Sequence, residues 1–198
     1  MGIGFWESGV GSWKFGSGKA RATGVYAHDS RALLRLDYDY DGDGRIDVRT
    51  YMRQGRPVRL EGDGNRDGLI DRWEYYGRDG ELLRIGGSTR GDGREDMWVR
   101  TSGDERVVEI SMRRDGVIDR REVYHGDTLV RAESDTNHDG LPDRWEDFRD
   151  GVVVRLMLDD ERRYGRPTRR IVYDTQATAR VETDADGDGV WEASAGTR

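Results

Sequence analysis

The 198-residue sequence contains no cysteine, only three prolines and no long apolar run. Without cysteine, neither a disulfide nor a thiolate metal site can form. No apolar stretch approaches the roughly 20 residues that a membrane-spanning helix needs. The first residues, M-G-I-G-F-W-E-S-G, have no basic segment followed by an apolar one, so we expect no signal peptide in this sequence. These absences predict a chain without disulfides and without a membrane span.

Lysine is also scarce, since only two lysines accompany 31 arginines. The net charge of -7 is unevenly distributed, because 18 of the 40 carboxylates lie in four short stretches: 37–47, 61–71, 133–143 and 182–192. Acidic loops and a negative net charge oppose a surface that follows a phosphate backbone, so we expect no nucleic-acid partner. The mean hydropathy of -0.92 and the 37% of charged residues predict a thin structure with little core.

The sequence is built from an internal repeat. When it is aligned on the glycine of each acidic stretch, eight units follow one another at spacings of 23 to 26 residues. The glycines that mark the units are Gly18, Gly44, Gly68, Gly93, Gly116, Gly140, Gly165 and Gly189. A fixed period of this length is typical of repeat proteins, in which each unit packs on its neighbours.

Each unit predicts a β-hairpin followed by an acidic loop. A run such as I-D-R-W-E-Y-Y (70–76) precedes a glycine-rich turn and a second run, E-L-L-R-I (81–85). Short runs of aromatic and β-branched residues bounded by Gly and Asp are typical of strands. We therefore expect an all-β fold in which about eight hairpin units form an elongated or curved antiparallel sheet. A β-solenoid, or a closed barrel or propeller, is the alternative. We expect a Gly/Ser-rich cap over 1–17 and a single repeat domain over 18–198.

The second strands alternate apolar and charged residues, which predicts one buried face and one charged face. The expected buried positions are Leu34, Val58, Leu83, Val108, Val130 and Val154. If the turn pairs Gly77 with Gly80, Arg84 lies opposite Trp73, where its guanidinium group can stack on the indole. A carbohydrate-binding surface is the other interpretation of the same tryptophans, which are Trp73, Trp98 and Trp145.

The acidic loops have the ligand spacing of a twelve-residue calcium loop, with side-chain oxygens at positions 1, 3, 5, 9 and 12, glycine at position 6 and a backbone carbonyl at position 7. Two loops fill every position, one with Asp63, Asn65, Asp67, Leu69, Asp71 and Glu74, the other with Asp135, Asn137, Asp139, Leu141, Asp143 and Glu146. Two more lack the twelfth ligand, and they consist of Asp39, Asp41, Asp43 and Asp47, and of Asp184, Asp186, Asp188 and Glu192. Because converging carboxylates repel, we expect Ca²⁺ in these four loops. The loops at 88–93, 111–116 and 160–165 have too few carboxylates, so we expect ordinary turns there.

At these ligand positions the sequence resembles proteins with EF-hand-like D-x-[DN]-x-D-G calcium loops outside a helix-loop-helix, such as dockerin-type and thrombospondin type 3 modules. The resemblance covers the loops, about a quarter of the chain. The flanking helices of those loops and the cysteines of the thrombospondin modules are missing. The resemblance implies calcium binding and the ordering of an extended array, and it implies no reaction.

Motifs for catalysis are absent from the sequence. It has no G-x-S-x-G, P-loop or dinucleotide fingerprint, and His28, His125 and His138 fall at different repeat positions. We therefore expect a non-enzymatic calcium-binding β-repeat protein that acts as a structural, adhesive or interaction module with a protein or cell-surface partner. A carbohydrate-binding module that uses exposed Trp and Tyr residues is the alternative. Loops suited to calcium-rich surroundings favour an extracellular, cell-envelope or periplasmic location.

Overall fold

The structure is a computed structural model that describes residues 21–160, 165–173 and 178–193. The predicted cap at 1–17 lies outside the described residues. Within them the chain forms fifteen strands: β1 (Arg21–Tyr26), β2 (Leu33–Asp39), β3 (Val48–Arg53), β4 (Arg56–Gly62), β5 (Arg72–Tyr76), β6 (Leu82–Gly87), β7 (Met97–Ser102), β8 (Glu105–Ile110), β9 (Arg120–His125), β10 (Thr128–Ser134), β11 (Arg144–Arg149), β12 (Val152–Leu158), β13 (Arg169–Tyr173), β14 (Ala179–Thr183) and β15 (Glu192–Ala193). Among those residues no helix is long and apolar enough to cross a membrane.

All fifteen strands belong to one open antiparallel sheet. Each strand pairs only with its neighbours in sequence, and the order runs from β1 at one end to β15 at the other. The predicted all-β antiparallel array is therefore confirmed. The solenoid, barrel and propeller alternatives are wrong, because the pairing is antiparallel throughout and the two terminal strands are not paired with each other.

The connections alternate between the two ends of the strands, which form the two long edges of this sheet. The hairpin turns lie along one long edge, and the acidic loops lie along the other. The turn between β3 and β4 uses Gln54 and Gly55, with φ angles of 51° and 78°, and the turn between β11 and β12 uses Asp150 and Gly151, at 52° and 76°. Two residues with positive φ form a type I′ turn, which matches the twist of the strands it joins.

The predicted buried face of the second strands is confirmed at Val108, is only half-buried at Val58, Val130 and Val154, and is wrong at Leu34 and Leu83, because five of the hairpins carry β-bulges. The pairing skips one residue in each of five hairpins, and these extra residues are Leu34, Val58, Leu83, Val130 and Val154. Leu34 and Leu83 are 46% and 51% exposed. Val108 lies in the hairpin of β7 and β8, where the pairing is regular, and it is 2% exposed. A bulge interrupts the alternation of faces on which the prediction depended.

The predicted pairing of Arg84 with Trp73 is also wrong. The turn between β5 and β6 is longer than expected, and it is closed by a hydrogen bond from the N–H of Gly77 to the carbonyl of Glu81 at 2.9 Å. The longer turn and the bulge at Leu83 place Arg84 opposite Tyr75. The guanidinium carbon lies 4.5 Å from the centre of the Tyr75 ring, which is a cation–π contact.

The tryptophans expected on an exposed surface are covered by the sheet's own side chains. Trp73 and Trp98 are only 5% and 9% exposed, and Arg84 lies 5.6 Å from the centre of the Trp98 ring. Trp145 is half-buried. The aromatic residues therefore stabilise the sheet by packing, and Trp73 and Trp98 do not offer a platform for a sugar ring.

Candidate metal loops

Seven loops lie along the acidic edge of the described sheet. Loops 1 to 5 span 39–47, 63–71, 88–96, 111–119 and 135–143, loop 6 spans 159–168, and loop 7 spans 184–192. Positions are counted from the first residue of each loop, and position 6 is glycine. Loop 6 is the exception, because it is one residue longer before Gly165 and its residues 161–164 lie outside the described ranges.

The first and ninth residues of the loops are held by the sheet. In loop 2 the N–H of Asp63 donates to the carbonyl of Asp47 at 2.8 Å, and the N–H of Asp71 donates to the carbonyl of Gly62 at 3.0 Å. Bonds of this kind continue the antiparallel ladder one residue beyond the strand ends. The position-1 aspartates Asp39, Asp63, Asp135 and Asp184 are at most 8% exposed. The sheet therefore fixes the backbone from which each loop starts.

Loop 1 folds around the carboxylate of Asp39. Its Oδ1 accepts a hydrogen bond from the N–H of Gly42 at 2.6 Å, and its Oδ2 accepts one from Gly44 at 3.0 Å. Gly44 has a φ of 90°, a conformation that favours glycine. The N–H of Asp43 donates to Oδ1 of Asp41 at 3.1 Å. These bonds turn positions 3 and 5 toward the side chain at position 1.

The same hydrogen bonds recur in the other predicted calcium loops. The glycine N–H donates to the first carboxylate from Gly68 to Asp63, from Gly140 to Asp135 and from Gly189 to Asp184, at 2.8, 2.8 and 3.2 Å. Position 5 donates to the side-chain oxygen of position 3 from Asp67 to Asn65, from Asp139 to Asn137 and from Asp188 to Asp186, at 3.0, 2.9 and 3.2 Å. The four loops therefore share one local structure.

Carboxylate oxygens converge most closely in loops 1 and 7. In each triplet, one oxygen from every residue lies within 4.8 Å of the others, and the two triplets are Asp39, Asp41 and Asp43, and Asp184, Asp186 and Asp188. Two like charges about 4 Å apart repel by about 4 kcal/mol at an effective dielectric constant of about 20. A bound cation would convert this repulsion into attraction.

The ninth residue closes loops 2 and 5. The carboxylate of Asp71 accepts hydrogen bonds from the N–H groups of Gly64 and Asn65 at 3.1 Å, and that of Asp143 accepts one from Asn137 at the same distance. In loop 7 this position is the exposed Glu192, which lies in β15.

The position-7 residues Leu69 and Leu141 donate their N–H groups to Asp67 and Asp139, at 2.8 and 3.0 Å.

The predicted ligands at position 12 are engaged on the sheet. Glu74 accepts a hydrogen bond from Arg72 at 2.7 Å and another from the hydroxyl of Tyr76. Glu146 is 7% exposed and lies between Arg144 and Arg120, at 2.7 and 3.3 Å. Burial opposes ionisation of Glu146, but the hydrogen bonds from these arginines prevail and lower its pKa. The structure thus places Glu74 and Glu146 in ion pairs with arginines on the sheet.

Arginine and histidine side chains at position 4 contact the preceding loop, which the sequence analysis missed. Arg66 lies 3.3 Å from Asp41, Arg114 lies 2.7 Å from Asp96, and His138 lies 3.0 Å from Asp119. The signal was present in the repeat alignment, where position 4 holds either glycine or a cationic or titratable residue. The sequence analysis considered each loop alone and therefore did not consider a residue supplied by the next loop.

Comparison with known proteins adds little. No protein-family model matches the chain, and no curated protein sequence matches it. Among solved structures, it is similar to a crystal structure of an S. aureus TarM mutant in complex with Fondaparinux, alpha-GlcNAc-glycerol and UDP, at 11% sequence identity and a TM-score of 0.21. The match covers 62% of this chain and 19% of the TarM chain. A similarity this low carries no argument about fold or function.

Proposed function

We propose that the protein is a non-enzymatic calcium-binding β-repeat module with a structural, adhesive or interaction role. The observation that carries this proposal is the convergence of three aspartates within 4.8 Å in loop 1 and again in loop 7, near the two ends of the sheet. Loops 2 and 5 support it, because they share the same hydrogen-bonded turn with asparagine at position 3.

The donor set favours a hard cation. The side chains at positions 1, 3 and 5 supply carboxylate and amide oxygens, which are the ligands that calcium prefers. Each carboxylate oxygen that accepts one N–H bond keeps a second lone pair for a metal. Calcium accepts irregular sets of six to eight oxygens, whereas magnesium requires near-octahedral geometry. Glu74 and Glu146, at position 12 of loops 2 and 5, are paired with arginines, so we expect water to complete the coordination there.

Calcium would stabilise a fold that has little core. The buried apolar side chains of the described chain are Val48, Trp73, Trp98, Val108 and Ala132. An ion that binds only the folded loops adds free energy of unfolding in proportion to the logarithm of its concentration. A sheet held in this way leaves two broad faces for a protein or cell-surface partner, and the calcium dependence suits an extracellular, cell-envelope or periplasmic location.

Equilibrium dialysis and thermal melting test the proposal together. We expect up to four calcium ions per chain, a melting temperature that falls in chelator, and its recovery in millimolar calcium. Asp150→Asn is the control, because it removes one exposed charge at the hairpin edge, where asparagine also tolerates a φ of 52°. A wild-type chain that binds no calcium and melts at the same temperature in both conditions would refute the proposal.

A further inference from the structure

Position 4 has a left-handed backbone in loops 1 to 5 and in loop 7, where the structure describes it, whatever residue occupies it. The φ angle is 78°, 65° and 75° at Gly42, Gly91 and Gly187, and 62°, 65° and 64° at Arg66, Arg114 and His138. This conformation favours glycine and is disfavoured for residues with a Cβ. The free-energy cost of this backbone conformation must therefore be offset by contacts of the side chain at position 4.

Arg114 receives that compensation from loop 3. Its Nε lies 2.7 Å from Oδ2 of Asp96, and its two terminal nitrogens donate to the two carboxylate oxygens of Asp92. The Arg114 side chain is only 11% exposed, and that of Asp96 is 1% exposed. One guanidinium group thus pairs with the acids at both positions 5 and 9 of the preceding loop.

A buried carboxylate is strongly destabilising unless it is hydrogen-bonded and paired with a positive charge. Asp96 accepts hydrogen bonds from the N–H and the hydroxyl of Thr89 at 2.7 and 2.8 Å, and Arg114 supplies the positive charge. The hydrogen bonds from Arg114 hold the pKa of Asp92 well below its usual range, and those from Asp92 and Asp96 raise the pKa of Arg114. Loop 2 differs, since the residue that would cover it is Gly91, and a Cβ there would meet no atom within 4 Å.

We propose that the residue at position 4 of one loop sets the cation requirement of the loop before it. Arg114 is the permanent counter-ion of loop 3, whereas Gly91 leaves the acids of loop 2 open to a metal ion. The statement about Arg114 rests on its contacts alone, and the statement about Gly91 rests on the proposed calcium binding. Arg66 is an intermediate case, because it makes one exposed contact with Asp41 at 3.3 Å.

The first experiment replaces Arg114 and is performed in chelator. Glycine is the better residue for a left-handed backbone, so Arg114→Gly would raise the melting temperature if the side chain were dispensable. We expect a fall of several degrees instead, and a smaller fall for Arg114→Lys, which keeps the charge but loses the planar, multidentate contact. Arg66→Gly is the matched control and should leave the melting temperature unchanged or raise it, because the single exposed contact with Asp41 offsets little of the gain from glycine. An unchanged or higher melting temperature for Arg114→Gly would overturn the proposal.

The second experiment installs the counter-ion over loop 2. Gly91→Arg should bind one calcium fewer than the wild type and show a smaller rise in melting temperature on calcium addition. Gly91→Asn, which tolerates the same backbone without adding charge, should bind the wild-type number of ions. If Gly91→Arg and the wild type bound the same number of calcium ions per chain, the statement about position 4 would be overturned. If the wild type bound no calcium, the proposed function would fail, and Arg114→Gly in chelator would still decide the role of Arg114.

Discussion

Loops 1 and 3 occupy equivalent places in the repeat but carry different sets of charged residues. Loop 1 has aspartate at positions 1, 3 and 5, converging within 4.8 Å. Loop 3 has Ser88 at position 1 and Arg90 at position 3. Of its three acids, Asp92 and Asp96 are paired with Arg114, and Glu95 accepts a hydrogen bond from the hydroxyl of Tyr75 at 2.6 Å. Turn geometry is similar in both, because Gly44 and Gly93 have φ angles of 90° and 78°.

This comparison shows that the geometry of the turn does not depend on the number of carboxylates in the loop. A tight loop at the edge of this sheet needs glycine at position 6 and an acceptor at position 1, and Ser111 meets the second need in loop 4 by accepting the N–H of Gly116 at 3.1 Å. Carboxylates beyond that requirement create repulsion that something must neutralise. In loop 3 the side chain of Arg114 supplies a positive charge, and in loop 1 we propose that a calcium ion from solution supplies it.

The largest expected effect comes from removing the charge of loop 1. In Asp41→Asn combined with Asp43→Asn, the side-chain oxygens remain but two negative charges are lost. We expect the free energy of unfolding in calcium at about 100 times its dissociation constant to fall by about 2.7 kcal/mol, the full contribution of one bound ion. In chelator the variant should be at least as stable as the wild type, because repulsion is relieved. Urea unfolding in both conditions measures the difference.

Asp150→Asn serves as the control for this pair and should behave like the wild type with and without calcium. If the double variant lost the same stability in chelator as in calcium, the carboxylates of loop 1 would be structural groups and not metal ligands.

A smaller effect is expected from Glu146→Gln. This change keeps the size of the side chain but removes the charge between Arg144 and Arg120. Hydrogen bonds to charged groups contribute about 1.5–3 kcal/mol, and because glutamine keeps one acceptor oxygen we expect a loss near the lower value, about 1.5 kcal/mol. Because the structure places Glu146 on the sheet, the loss should be equal in calcium and in chelator. A loss that is clearly greater in calcium would show that Glu146 acts as the twelfth ligand of its loop.

The smallest effect concerns acid stability in chelator. Burial opposes ionisation of Asp119, but hydrogen bonds from the N–H of Arg113 and from His138 prevail, and its pKa is lowered. A carboxyl whose pKa is lower in the folded state contributes stability that is present above its ordinary pKa of about 4 and is lost as the pH falls below it. Asp119→Asn should therefore show a shallower decline of melting temperature below pH 4. A decline parallel to that of the wild type would contradict this role for Asp119.

The sheet was predictable because its signals are local and repeated. The 24-residue period, the aromatic runs such as 70–76 and the glycine turns fix hairpins in sequential order, and an antiparallel meander follows from them. The loop hydrogen bonds were predictable for the same reason, since Asp63 and Gly68 lie five residues apart and contact each other at 2.8 Å.

The faces and the counter-charges were less predictable, because they depend on contacts between elements. A single extra residue at Leu83 changes which side chains share a face, and nothing in L-L-R-I distinguishes it from the regular strand that holds Val108. Arg114 acts on residues 18 and 22 positions earlier in the chain. Only the spatial proximity of successive loops reveals that contact.

A crystal structure determined in millimolar calcium tests the central claim most directly. We expect ion density coordinated by Asp39, Asp41 and Asp43, and by the corresponding residues of loops 2, 5 and 7. In loop 3, the guanidinium group of Arg114 should occupy the place between Asp92 and Asp96. Density for calcium in loop 3, or loops 1 and 7 without an ion and with their aspartates paired to arginine, would contradict the account.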